Sequence, residues 1–197
     1  MKRQLLLNAL EAYKPTDEQE IVYKQQIIEF VNTHTDCFER TLTVGHVTAS
    51  AWILNSDGSR ALLMHHAKLD KWFQLGGHCD GDPDTLAVAL KEAHEESGLA
   101  RIVPVSNRIF DIDIHLIPAN SREAEHYHFD VRYLLQVQGS DTLVQNTESK
   151  ELRWIGKHPA ELPSSGRSLV RMFEKWVARE QVVQPSTRRS SLGEVRG

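Results

Sequence analysis

The stretch from Gly76 to Leu99 reads GGHCDGDPDTLAVALKEAHEESGL: a glycine-rich loop, a run containing Glu92, Glu95 and Glu96, and a stop at Gly98. Residues three and four apart are neighbours on a helix, so Glu92 stands beside both Glu95 and Glu96. Like charges at this spacing cost a few tenths of a kcal/mol per pair unless a cation lies between them. The spacing therefore describes a metal site, and hard carboxylate oxygens select magnesium or manganese. Leu86, Ala89, Leu90 and Ala93 recur at i, i+3, i+4 and i+7, the stripe a helix needs to bury one face. Asp82 as N-cap, Pro83 at the first helical position and Gly98 after the last turn predict the helix boundaries.

Outward from this box, period-two patterns predict strands. Gly45, Val47, Ala49, Ala51 and Ile53 share one face of a segment from Thr43 to Asn55, with His46, Thr48, Ser50 and Trp52 on the other. Asp57-Gly58 predicts a hairpin, and Arg60 to His66 the returning strand. Beyond the box, Ile102 to Ile117 alternates Asp111, Asp113 and His115 against Ile112, Ile114 and Leu116. In the segment from Glu125 to Val137, Tyr127, Phe129, Val131, Tyr133 and Leu135 oppose His126, His128, Asp130 and Arg132. A short strand is expected at Glu151 to Ile155, and Leu169, Met172, Phe173, Trp176 and Val177 form the stripe of a closing helix.

Two further helices, separated at Lys14-Pro15-Thr16, precede the first strand. Strands mixed with helices on either side predict an α/β fold, a mixed sheet sandwiched between helices, with an N-terminal helical extension. The expected organisation is an extension over 1–40, a catalytic domain over 41–182 and a polar, disordered tail over 183–197. The extension is expected to shield a sheet edge or to form a homodimer.

The 197 residues include 23 basic and 27 acidic side chains, a formal charge of -4. That balance lacks the basic excess of a nucleic-acid-polymer binder. Cys37 and Cys79 fit neither a disulfide framework nor a zinc spacing. No apolar run approaches a membrane span, so the expectation is a soluble, cytoplasmic chain with reduced cysteines.

The box resembles that of the Nudix hydrolase family: Gly, five residues, Glu, seven residues, Arg-Glu, an aliphatic, any residue, Glu-Glu, any residue, Gly, aliphatic. Gly77, Glu92, Ala93, Glu95, Glu96, Gly98 and Leu99 match, whereas Pro83 replaces the first Glu and Lys91 the Arg. The resemblance covers about Val44 to Val177 and implies the Nudix α/β/α sandwich. It implies that Glu92, Glu95 and Glu96 hold Mg2+ or Mn2+. It also implies that water cleaves the diphosphate linkage of a small nucleoside diphosphate derivative or related compound. Glu96, Glu148 and Glu151 are the candidate catalytic carboxylates, and Gly77, Lys91 and Arg132 the candidate substrate-binding residues.

His126 and His128 point the same way from one strand, and His46 and His78 fall where they could join them. Imidazoles suit a transition ion, which makes these four a candidate second metal site. Their placement is similar to that of the metal-binding histidines in Nudix-type isopentenyl diphosphate isomerases, which keeps an isomerase as an alternative reading. A non-catalytic nucleotide-binding regulator is the other alternative.

Overall fold

The computed structural model describes residues 2–119 and 124–183. Helices α1 (Gln4–Ala12) and α2 (Glu18–Thr33) come first, followed by strands β1 (Gly45–Leu54), β2 (Ala61–His66), β3 (Trp72–Phe73) and β4 (Leu75–His78). Helix α3 (Thr85–Ser97) carries the glutamates; β5 (Ile102–Ile117), β6 (His126–Val137), β7 (Ser149–Ile155) and α4 (Arg167–Val183) complete the chain. Of the tail expected over 183–197, Val183 ends α4, and residues 184–197 lie outside the described residues.

The sheet is mixed. Its main path runs β3-β2-β1-β6-β5, with β1 and β6 parallel and the other pairs antiparallel. One edge of β1 is divided between two partners: Ile53 and Leu54 pair with Leu62 and Ala61 of β2, while Thr48 to Ala51 pair with His78 to Leu75 of β4. Strand β7 joins β2, and the connection that feeds it brings Glu148 against Ala67, whose N–H donates to the Glu148 carbonyl at 2.8 Å.

The two faces of β1 are both buried, for different reasons. Val47, Ala49, Ala51 and Ile53 face a core that contains Val88, Ala89 and Ala93 of α3 and Leu6, Leu10, Ile27 and Val31 of the N-terminal helices. Trp52 and Leu134 face the second core, filled by Leu169, Met172, Phe173 and Trp176 of α4. The expected sandwich, strand alternation and closing stripe are therefore all present. The N-terminal helices are part of the same core: Phe30 stacks on Phe129 at 3.9 Å between ring centroids.

The box helix starts later than expected. Asp84, not Asp82, caps it by accepting from Ala87 N–H at 3.0 Å. The Asp82 carboxylate instead accepts from Asp84 N–H at 2.9 Å, a local turn that leaves Pro83 in the loop. Gly98 ends the helix as expected, at φ 67°, a left-handed conformation that glycine adopts without strain. The buried stripe also differs: Thr85, Val88, Ala89, Ala93 and Glu96 are buried, while Leu86 and Leu90 flank the core. The expected clean division into an apolar face and an acidic face is thus broken by Glu96.

Candidate active site

The three box glutamates occupy three environments. Glu96 is 4% exposed, and its Oε2 accepts from Gly76 N–H on β4 at 2.8 Å. Burial, reinforced by the charges of Glu92, Glu148 and Glu95, pushes its carboxyl up to about 8 against the lowering effect of that hydrogen bond. Glu92 is half-buried and raised by desolvation, with the adjacent Lys91 pulling the other way. Glu95 stays exposed.

Gly77 makes the close approach of Glu92 to β4 workable. A Cβ at this position would lie 2.7 Å from the Glu92 carboxyl carbon and 2.8 Å from Oε2. Gly77→Ala is therefore expected to fold but to displace Glu92, weakening any divalent-cation binding by the box carboxylates by about 10–100-fold. Titration of wild type and variant with Mg2+, measured beside the melting temperature, checks it; identical titrations would remove Gly77 from the site.

Lys91 lies 3.5 Å from Glu92 and 3.8 Å from Glu95. Its ammonium is thus a local counter-ion to the box carboxylates, which is a different task from holding a substrate phosphate. Two buried or half-buried carboxylates raised by desolvation, a third at the rim and a lysine between them fit a divalent cation bound through oxygen.

Glu148 is exposed, and its charge adds to the upward shift of both Glu92 and Glu96. The connection that carries it is tied to the end of α3, where Val144 N–H donates to Ser97 O at 2.8 Å and Asn146 Nδ2 donates to Glu95 O at 3.3 Å. Glu151 is committed elsewhere: it is partly exposed on β7 and forked to Arg153 at 2.7 and 2.9 Å. Arg132, expected at the substrate, lies in the interior with 2% exposure, committed to Asp111, Asp113, Asp130 and Ser168. Alternation put it on the polar face of β6 correctly, but α4 covers that face here, with Arg171 in the same network.

The histidines do converge. The ring of His46 lies 4.9 Å from His78, 4.9 Å from His126 and 4.8 Å from His128. His115, on β5, joins them at 5.4 Å from His128. Burial and four neighbouring imidazoles hold His128 far below the usual histidine range, so it stays neutral. Sequence reading missed His115 as a neighbour and Gly76 as the donor to Glu96. The cross-strand registers that create both contacts are tertiary.

Residues 44–176 match the NUDIX domain family, and the chain belongs to it. A curated relative, a probable DHNTP pyrophosphohydrolase of Lactococcus lactis subsp. cremoris, is 28% identical over 94 residues, 47% of this chain. The chain spans about half the length of that relative, 54%. Among solved structures, an Ap4A hydrolase of C. elegans superposes with a TM-score of 0.55 at 16% identity, covering 69% of this chain and 98% of the other. A UDP-X diphosphatase superposes with a TM-score of 0.50 at 14% identity over 92% of this chain and 93% of the other. These two likenesses establish the fold. No helix among the described residues is long and apolar enough to cross a membrane.

Proposed function

We propose that the protein is a magnesium-dependent pyrophosphohydrolase that cleaves the diphosphate linkage of a nucleoside diphosphate derivative or a related small diphosphate. The observation that carries this reading is the convergence of Glu92 and Glu96 on the Gly76-Gly77 backbone, with the charge of Glu148 acting on both. Family membership and the pyrophosphohydrolase relative support the same class.

Glu92, Glu95 and Glu96 hold the cation in this reading. When bound, the ion offsets charge on the diphosphate oxygens and makes a water more acidic. Gly76 N–H fixes the orientation of Glu96, and the absent side chain at Gly77 lets Glu92 reach the strand. Glu148, exposed and not bound to an arginine as Glu151 is, accepts the proton of the attacking water. Oxygen from water joins one phosphorus, the bridging P–O bond breaks, and two phosphate-containing products leave.

The isomerase alternative requires an accessible acid/base thiol. Cys79 is buried in the core, and desolvation raises its thiol far above neutrality, so it is unsuited to that role. A set of diphosphate substrates, incubated with Mg2+ and analysed for products, tests the function. Two phosphate products from at least one substrate are expected; isomerised but uncleaved diphosphate would reject hydrolysis. Glu148→Gln is expected to reduce kcat by about 10²–10⁴-fold with a smaller change in KM. An unchanged kcat would assign the proton transfer to another group.

A further inference from the structure

We propose that His46, His78, His126 and His128 form a closed, four-coordinate site for a divalent transition ion of the zinc type, which pins β1, β4 and β6 together. The proposal is independent of the diphosphate reading, because it uses none of the box glutamates, and Glu92 approaches β4 at Gly77, on the face opposite His78.

Register makes the cluster. His46 on β1 is directly opposite His128 on β6, and Thr48, two residues along the same face, is opposite His78 on β4. His126 precedes His128 by two residues and so shares its face. Gly77, one residue before His78, points the other way, towards Glu92 of α3. Two adjacent positions of β4 thereby serve two separate centres.

The distances suit a tetrahedral ion. One ligand nitrogen from each of His46, His78 and His128 can be chosen so that all lie within 4.8 Å of one another. His126 Nε2 and His128 Nε2 are 3.3 Å apart. Zinc–imidazole bonds of about 2.0–2.1 Å put adjacent tetrahedral nitrogens about 3.3–3.4 Å apart, so this edge already has the required length. The nitrogens of His46, His78 and His128 stand up to 4.8 Å apart, so binding would draw these rings together around the ion, with His126 entering beside His128.

The second sphere sets the right tautomer. His126 Nδ1 lies 2.8 Å from the Ala124 carbonyl, which only accepts, so Nδ1 carries the proton and Nε2 keeps its lone pair for an ion. Neutral imidazoles without a carboxylate in the set favour a borderline transition ion over Mg2+ or Ca2+. His46 is 2% and His126 6% exposed, which matches a closed structural site better than one with an open position for substrate.

The test uses the full chain after chelation and dialysis. Cobalt(II) is expected to bind one per chain and give the intense visible bands of tetrahedral coordination, and zinc is expected to displace it. Zinc at 100-fold excess over its Kd is expected to raise the melting temperature by about 5–10 °C. His46→Gln and His128→Gln should lose both signals, whereas Glu92→Gln should keep both, separating this centre from the box glutamates. If either histidine variant fails to fold, His78→Gln, at a less buried position, takes its place. Weak octahedral bands, no binding, or bands that survive in the histidine variants would overturn the proposal.

Discussion

Glu96→Gln is expected to lower kcat by at least about 10²–10⁴-fold in the presence of Mg2+, while raising the stability of the metal-free protein near pH 8. The two effects have one cause. Glu96 is buried and its carboxyl is pushed up to about 8 from an ordinary value of 4.5. A raised carboxyl means that the folded state holds the proton more tightly than the unfolded state. Stability from this group is therefore greatest below about pH 4.5 and falls as pH rises through the window to about 8. Glutamine cannot ionise, so the variant avoids that loss and gives up the carboxylate proposed to hold the cation. Thermal melts of chelated wild type and variant at pH 5 and pH 8 check the sign. The variant's advantage should appear at pH 8 and shrink at pH 5, and added Mg2+ should stabilise only the wild type. A metal-free wild type that melts higher than the variant at pH 8, or a variant with full activity, would contradict the assignment.

The sequence carried the backbone of this site more fully than its burial. Gly77, Glu92, Glu95, Glu96 and Gly98 identify the box because their spacing is local, and helix geometry turns spacing into adjacency. Period-two alternation likewise placed His126 and His128 on one face of their strand and His46 on the polar face of its own, because side chains alternate along any strand, while the β1–β6 register brings the two faces together. What alternation leaves open is which layer covers each face. Arg132 was on the right face of β6, but the helix above it contributes Arg171 and Lys175, so the face became a buried ion network instead of a substrate surface. The same gap applies to Glu96, whose burial follows from the meeting of α3 with β4. The helix start was missed for a smaller reason: Asp82 and Asp84 are both good caps, and Pro83 suits a turn as well as a first helical turn.

That buried network gives the second large effect: Asp111→Asn is expected to destabilise the protein by about 3–5 kcal/mol, or roughly 6–20 °C in melting temperature. Asp111 is fully buried and accepts from Arg132 Nη1 at 3.0 Å, Arg171 Nε at 2.8 Å and Lys175 Nζ at 2.9 Å. The Lys175 ammonium also reaches Glu20 and Tyr13, so one carboxylate links β5 and α4 to the N-terminal helices. Replacing it with a neutral amide leaves buried cations short of a partner, which costs more than the intact network contributes. Burial alone would raise Asp111, but the surrounding cations prevail and hold it well below the ordinary carboxylate value of 3.8. A depressed carboxyl supplies stability that is fully present above its unfolded value and is lost as pH falls through the folded one. The gap between wild type and Asp111→Asn should therefore be constant from about pH 5 to pH 7 and narrow as pH falls below about 4. Urea denaturation at pH 7 and pH 3 measures both gaps. A gap below about 1 kcal/mol at pH 7 would mean that α4 and the N-terminal helices are held by their apolar faces alone.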